Sequence, residues 1–363
     1  MHERELLRWL DAHHYTSLVR SHSVYFRRVL EKSMNTTRQP LLVVGDYGTP
    51  GKHVSPLMCG AYAFAAQSLG LTTEIVMQEI KERTESADYA VIKALTKLPP
   101  SSRIALSLSN RLGNLGPVGK SYRRFMRERK HRFVSTSGVG GLDSEHFYSV
   151  TQALNINYLK LKREAQRLTR ILDGAREVRV TSPGGTDLTI GITGQQAIPI
   201  DGDYTGRNYG GNIPAGEVYI APQGEKVEGT VVIDASSRID AATLLIKKPI
   251  TLTITKGMIT KIEGDREARL LKGGLDKAML RAKVPSNVRQ IGELGIGLNP
   301  RLDVVGAMIL DEKAHGTAHV AIGSNYWFGG TNFTLIHLDQ VFYQPTLYVD
   351  GREVKLPKKK DLI

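Results

Sequence analysis

Residues 41–78 read LLVVGDYGTPGKHVSPLMCGAYAFAAQSLGLTTEIVMQ, and their punctuation decides the fold of the first half. LLVVGD (41–46) is a short apolar run closed by glycine and aspartate, the pattern of a strand buried on both faces. A glycine-bearing loop follows (47–55), and PLMCGAYAFAAQSLG (56–70) has the composition of a helix stopped at Gly70. TTEIVMQ (72–78) is again a strand, 84–97 a helix, and RIALSLS (103–109) a third strand. This alternation predicts a parallel sheet with helices on both faces. Working outward, residues 2–32 place Leu6, Leu7, Leu10, Val19, Phe26 and Val29 near helical spacing.

After residue 150 the character changes. A helix over 151–173 leads into strand-like segments at 177–183, 187–193, 227–235, 250–264 and 346–351, with Lys256-Gly257 marking a hairpin turn. The expected organisation is an α/β N-terminal domain over 1–150 and a strand-rich α+β domain over 151–357 that carries a metal site.

Composition bounds the function. Apolar residues at 41% and charged residues at 23% are the balance of a globular chain, and 363 residues suffice for two cores. No apolar run reaches bilayer length. The opening MHERELLRWL lacks the apolar core and cleavage site of a signal peptide, so a cytoplasmic location without a membrane partner is expected. Cys59 is the sole cysteine, which excludes an internal disulfide framework and a thiolate zinc knuckle. The net charge of +13 concentrates in KSYRRFMRERKHR (120–132), where Tyr122 and Phe125 interleave with the bases. That run reads as a nucleic-acid surface, as a solvated helix face, or as part of a field drawing acidic substrates. No nucleic-acid module surrounds it, so a nucleic-acid partner is not expected.

Two tempting motifs fail. In GDYGTPGKH, Asp46 and Tyr47 stand where a Walker loop needs its first glycine, and His53 replaces the magnesium-binding hydroxyl. His315 and His319 are four apart, but Gly316 occupies the place of the glutamate that a zinc-protease helix requires. Cys59 sits in an apolar stretch and reads as core packing.

Metal-type ligands gather instead in four segments: GGNIPAGEVYIAP (210–222) with Glu217, IGELGIGLNP (291–300) with Glu293, DEKAHGTAHVAIGSNYW (311–327) with His319 and Tyr326, and NFTLIHLDQV (332–341) with His337 and Asp339. The last reads as a strand, so His337 and Asp339 share a face with Leu335 and Val341 beside them. Ionisable groups on a half-buried face are costly unless paired or metal-bound. An imidazole and a carboxylate suit zinc, manganese, cobalt or iron(II). Each residue also has a plainer reading: turn-side carboxylates for the glutamates, a hydrogen-bonded core histidine for His319, an amphipathic wall for Tyr326.

With GTDL (185–188), these segments occur in the order seen in the aminopeptidase T/aminopeptidase S metallopeptidases, which the chain resembles from about residue 150 onward. The resemblance implies two divalent ions (zinc, cobalt or manganese) held by Glu217, Glu293, His319, His337 and Asp339. It also implies Glu293 and Tyr326 as catalytic residues, peptide substrates and a homodimer. The interval from His319 to His337, which contains Gly329-Gly330, is shorter than in better-known members. The expected activity is therefore hydrolysis of an N-terminal peptide bond by metal-activated water. A rival reading rests on a second resemblance, to dihydroxypyridine ring-cleaving dioxygenases, with His319, His337 and Asp339 as a facial triad on iron(II).

Overall fold

The computed structural model describes residues 2–119, 122–206, 209–240 and 242–363, so Lys120 and Ser121, which open the basic run, lie outside the described residues. The chain forms two compact units, Met1–Tyr158 with Gly202–Ala215, and Leu159–Asp201 with Gly216–Ile363.

The first unit is built on a five-stranded parallel sheet in the order Thr73–Gln78, Leu41–Asp46, Arg103–Leu108, Arg132–Ser137, Gly210–Asn212. Because side chains alternate along a strand, Leu42 and Val44 face one layer, where they pack with Val91, Ala94, Leu95, Phe125 and Met126 of helices Tyr89–Lys97 and Tyr122–Glu128. Gly45 faces the opposite layer, against Cys59 and Ser55 of helix Val54–Ser68. Helices thus cover both faces, as expected. The thiol of Cys59 is a packing group, and burial followed by the charge of Asp46 pushes its pKa up.

Several boundaries differ from the sequence reading. The helix expected over 2–32 is two helices, His2–Ala12 and Thr16–Arg28, followed by a wider turn at Val29–Ser33. The break falls at His14, whose φ of 60° no helix accommodates. The helix expected over 151–173 is likewise two, Phe147–Leu154 and Tyr158–Asp173. In the basic segment, Phe125 and Met126 are buried and the Tyr122 ring meets Phe133 edge-on at 4.9 Å. The interleaved aromatics are taken up by the core, and Arg127 is left to solvent.

Among the described residues the second unit holds two antiparallel sheets of seven strands each. One contains the expected hairpin Ile250–Thr255/Met258–Glu263, turned by Lys256 and Gly257, both at positive φ (48° and 76°), the geometry of a two-residue turn matching strand twist. The other runs Ala242–Leu245, Ser236–Ile239, His337–Tyr343, Thr317–Gly323, Ile291–Gly297, Glu217–Ile220, Ile198–Ile200. Among the described residues no helix is long and apolar enough to cross a membrane.

Candidate metal centre

All five expected ligands lie on four neighbouring strands of that second sheet, and strand arithmetic puts them on one face. In the register, Glu217 pairs with Gly297, Gly295 with His319, and His319 with Val341. Ala321 pairs with both Glu293 and Asp339, and Gly323 with His337. Every residue in this network is separated from its strand neighbours by two, so all their side chains point the same way. Between the polar groups the face carries glycine and alanine, which leaves room for ligating side chains. Gly295 shows why: a Cβ there would stand 2.2 Å from the His319 ring. Gly216 (φ 132°) turns the chain against Asn299 immediately before Glu217, in a conformation that other residues rarely adopt.

Of the five, Glu293, His337 and Asp339 form a mutual trio, each offering one ligand atom within 4.8 Å of the others. His337 Nε2 lies 3.4 Å from Glu293 Oε2 and 3.3 Å from Asp339 Oδ1. His319 Nε2 lies 3.2 Å from Glu293 Oε1 and 3.9 Å from Glu217 Oε2. The triad expected for iron had His319 where the mutual trio has Glu293. The cause is the register: Glu293 and Asp339 face each other across Ala321, while His319 sits one row away over Gly295.

His337 is oriented as a ligand should be. Its Nδ1–H donates to the carbonyl of Ser324 at 2.8 Å, which leaves the Nε2 lone pair facing two carboxylates. A lone pair and two acceptor oxygens at that distance repel unless a cation or proton lies among them. His319 lacks such a support, because its buried Nδ1 has no hydrogen-bond partner among the described residues.

Charge makes the same demand. Glu217, Glu293 and Asp339 are buried, and Glu312 is nearly so, against one ammonium among the described residues, that of the fully buried Lys313. Lys313 Nζ is 3.0 Å from Glu217 Oε1 and also hydrogen-bonds Glu312. Burial lowers its pKa, but Glu217 and Glu312 outweigh burial and hold it up. Burial pushes Glu312 up to about 8 despite Lys313. It raises Glu293 as well, with hydrogen bonding from His319 opposing. For the histidines burial acts downward and loses: the Glu293 hydrogen bond and neighbouring carboxylates push His319 up to about 9, and Asp339 foremost pushes His337 up to about 10. Asp339 is held well below the carboxylate range, because His337 and His319 overcome its burial. Two imidazoles held protonated by buried carboxylates mark a site that lacks positive charge, and a divalent ion supplies it in place of those protons. The donor set fits a metal ion.

The remaining sequence candidates fall around this cluster. Tyr326 is exposed, and its ring meets Phe333 edge-on at 5.7 Å. His315 donates from Nε2 to the Pro357 carbonyl at 2.7 Å. Lys313 was missed: within DEKAHGTAH it reads as one more surface lysine, and nothing local marks it as buried.

A family model described as 2,5-dihydroxypyridine 5,6-dioxygenase matches residues 145–356. A 2,5-dihydroxypyridine 5,6-dioxygenase of Pseudomonas putida is 29% identical over 206 residues, covering 54% of this chain and 57% of that protein; the match thus spans little more than half of the relative's length. Among solved structures, the 2,5-dihydroxypyridine dioxygenase from P. putida KT2440 superposes with a TM-score of 0.70 at 20% identity, over 93% of this chain and 98% of that one. AmpT from Thermus thermophilus superposes with a TM-score of 0.61 at 16% identity, over 94% and 98%. The scaffold is therefore shared with aminopeptidase T, but at that identity the likeness concerns fold alone. The expected metallo-aminopeptidase, and with it hydrolase chemistry on peptides, is overturned by the dioxygenase family match and the named relative. The sequence reading erred because a fold shared by two proteins does not fix the reaction carried out on it.

Proposed function

The chain belongs to the 2,5-dihydroxypyridine 5,6-dioxygenase (NicX) family, and from that premise we propose that it is a ring-cleaving dioxygenase acting on a dihydroxylated nitrogen heteroaromatic with one iron(II) ion. The observation carrying this reading is the trio Glu293, His337 and Asp339, with ligand atoms within 4.8 Å of one another and His337 fixed through Ser324. These three would hold the iron, with His319 next to Glu293 at 3.2 Å. Iron(II), when bound, supplies the one-electron chemistry that lets dioxygen react with an aromatic ring.

One ion, rather than the two expected, is favoured by Lys313. Its ammonium already provides positive charge at Glu217, 3.0 Å away, and repels a second cation there. The protein's own groups then divide the work. Ser324 keeps the His337 ring turned toward the cluster. Lys313 keeps Glu217 paired. His319, hydrogen-bonded through Nε2 to Glu293, holds that carboxylate in place beside His337. The ring is opened between two adjacent carbons, and both oxygen atoms of dioxygen enter the product.

Oxygen uptake tests this. Protein loaded anaerobically with iron(II) consumes one dioxygen per 2,5-dihydroxypyridine as the ring absorbance disappears, and a chelator or His337→Ala abolishes both. Iron-loaded protein inert toward a panel of dihydroxypyridines refutes the reading.

A further inference from the structure

The loop between strands Thr317–Gly323 and His337–Tyr343 holds three large aromatic side chains in solvent beside the cluster. Tyr326 is 65% exposed, Trp327 59% and Phe333 68%. Exposure of this kind usually accompanies a slack loop, but this one is cinched from within. Asn325 and Asn332 are buried. The Asn332 N–H donates to Asn325 Oδ1 (2.8 Å), Asn325 Nδ2 to the Gly292 carbonyl (3.1 Å), and Asn332 Nδ2 to the carbonyls of Gly323 (2.7 Å) and Asn287 (2.9 Å). Gly329 closes the turn at φ 101°. The aromatics are thus presented by a pinned backbone, the arrangement that lowers the ordering cost of binding.

Trp327 is the member that touches the site. Its ring centroid lies 4.8 Å from that of His337, at 64°, and 5.3 Å from that of Phe328, which is buried against Tyr219. Phe328 and His337 therefore back the indole, and the rest of it is open. A flat ring laid on that surface is in van der Waals contact with an indole and adjacent to the donor trio. An aliphatic chain would gain no stacking there.

We infer that Trp327 is the platform on which the planar ring of the substrate stacks, so that it sets the preference for a heteroaromatic substrate; this rests on the dioxygenase reading above. Trp327 acts on substrate binding, and the metal donors act independently of it.

The chain has two tryptophans, so Trp9→Phe leaves Trp327 as the only indole reporter. In that protein, loaded with iron(II) and kept anaerobic so that no turnover occurs, 2,5-dihydroxypyridine quenches fluorescence saturably, and a saturated cyclic diol does not. Trp327→Ala raises KM about tenfold with kcat changed by less than about threefold and bound iron unchanged, and Trp327→Phe recovers most of the loss. Quenching that never saturates overturns the inference. So does a Trp327→Ala protein with unchanged KM that has lost iron, which marks a mere prop for His337, or that has changed oligomeric state, which marks a subunit contact. Oxygen uptake without quenching sinks the platform and spares the dioxygenase. Saturable quenching without oxygen uptake does the reverse.

Discussion

Replacing Lys313 by methionine probes the charge design of the centre. Lys313 is 0% exposed and its Nζ stands 3.0 Å from Glu217 Oε1, itself buried. Methionine fills the stem but removes the ammonium, which leaves Glu217 and Glu312 without their cation. Breaking a buried pair by deleting one partner costs about 3–5 kcal/mol. Glu312, pushed up to about 8, already holds a proton near neutrality, so the loss is close to that of one pair. At about 2–4 °C per kcal/mol for a unit of this size, the metal-free variant melts roughly 6–20 °C below the parent. The vacated position is one a divalent ion can fill. Manganese or zinc titrated during calorimetric melting should restore the variant by about 2.7 kcal/mol at a hundredfold excess over its dissociation constant. The parent should show no second binding step. A variant melting within about 2 °C of the parent, or a parent that binds a second equivalent as readily, refutes the assignment of Lys313 as a built-in cation.

Further outcomes are expected elsewhere in the chain. Gly295→Ala would drive a methyl into the His319 ring, 2.2 Å away, so the variant loses about 1–3 kcal/mol by chemical denaturation and its bound iron falls. His131 is buried with Nδ1 accepting from the Ser102 N–H at 3.1 Å; burial, then Arg129 and Arg103, lower its pKa to about 4. The unfolded chain therefore takes the proton first on acidification, and stability present above pH 6.5 is lost as pH falls towards 4, by about 2 kcal/mol at pH 5. Urea titrations at pH 7 and pH 5 should show this difference in the parent and a much smaller one in His131→Asn, where an amide oxygen can accept the same hydrogen bond.

The sequence was most legible where one periodicity acted alone. Leu41–Asp46, Thr73–Gln78 and Arg103–Leu108 are compact apolar runs bounded by loop residues, and their parallel pairing follows from the intervening helices. Arg132–Ser137 went unread because a basic run leads into it and Ser135, Thr136 and Ser137 dilute its apolar content. Its outer neighbour, Gly210–Asn212, is three residues long and arrives from a distant part of the chain, so no local pattern announces it. Helix Arg266–Arg281 was hidden by Gly273-Gly274, which reads as a breaker. In the fold Gly274 lies close to Ile239, and a methyl there would stand 3.3 Å from that side chain.

The five expected ligands were visible as residue types between glycines. Their common face was not, because it depends on the register of four strands. Trp327 was passed over because exposure is a property of the folded loop. The hydrolytic reading came from motifs that do not say which reaction follows, and the rival dioxygenase reading is the one the family match supports.

The most direct trial of the single-ion centre is an anomalous difference map at the iron edge from crystals of iron-loaded protein. One peak per chain, bordered by Glu293, His337 and Asp339 with Lys313 still paired to Glu217, is the expected result. A second peak at Glu217 with the lysine displaced, or a lone peak away from the trio, would contradict it.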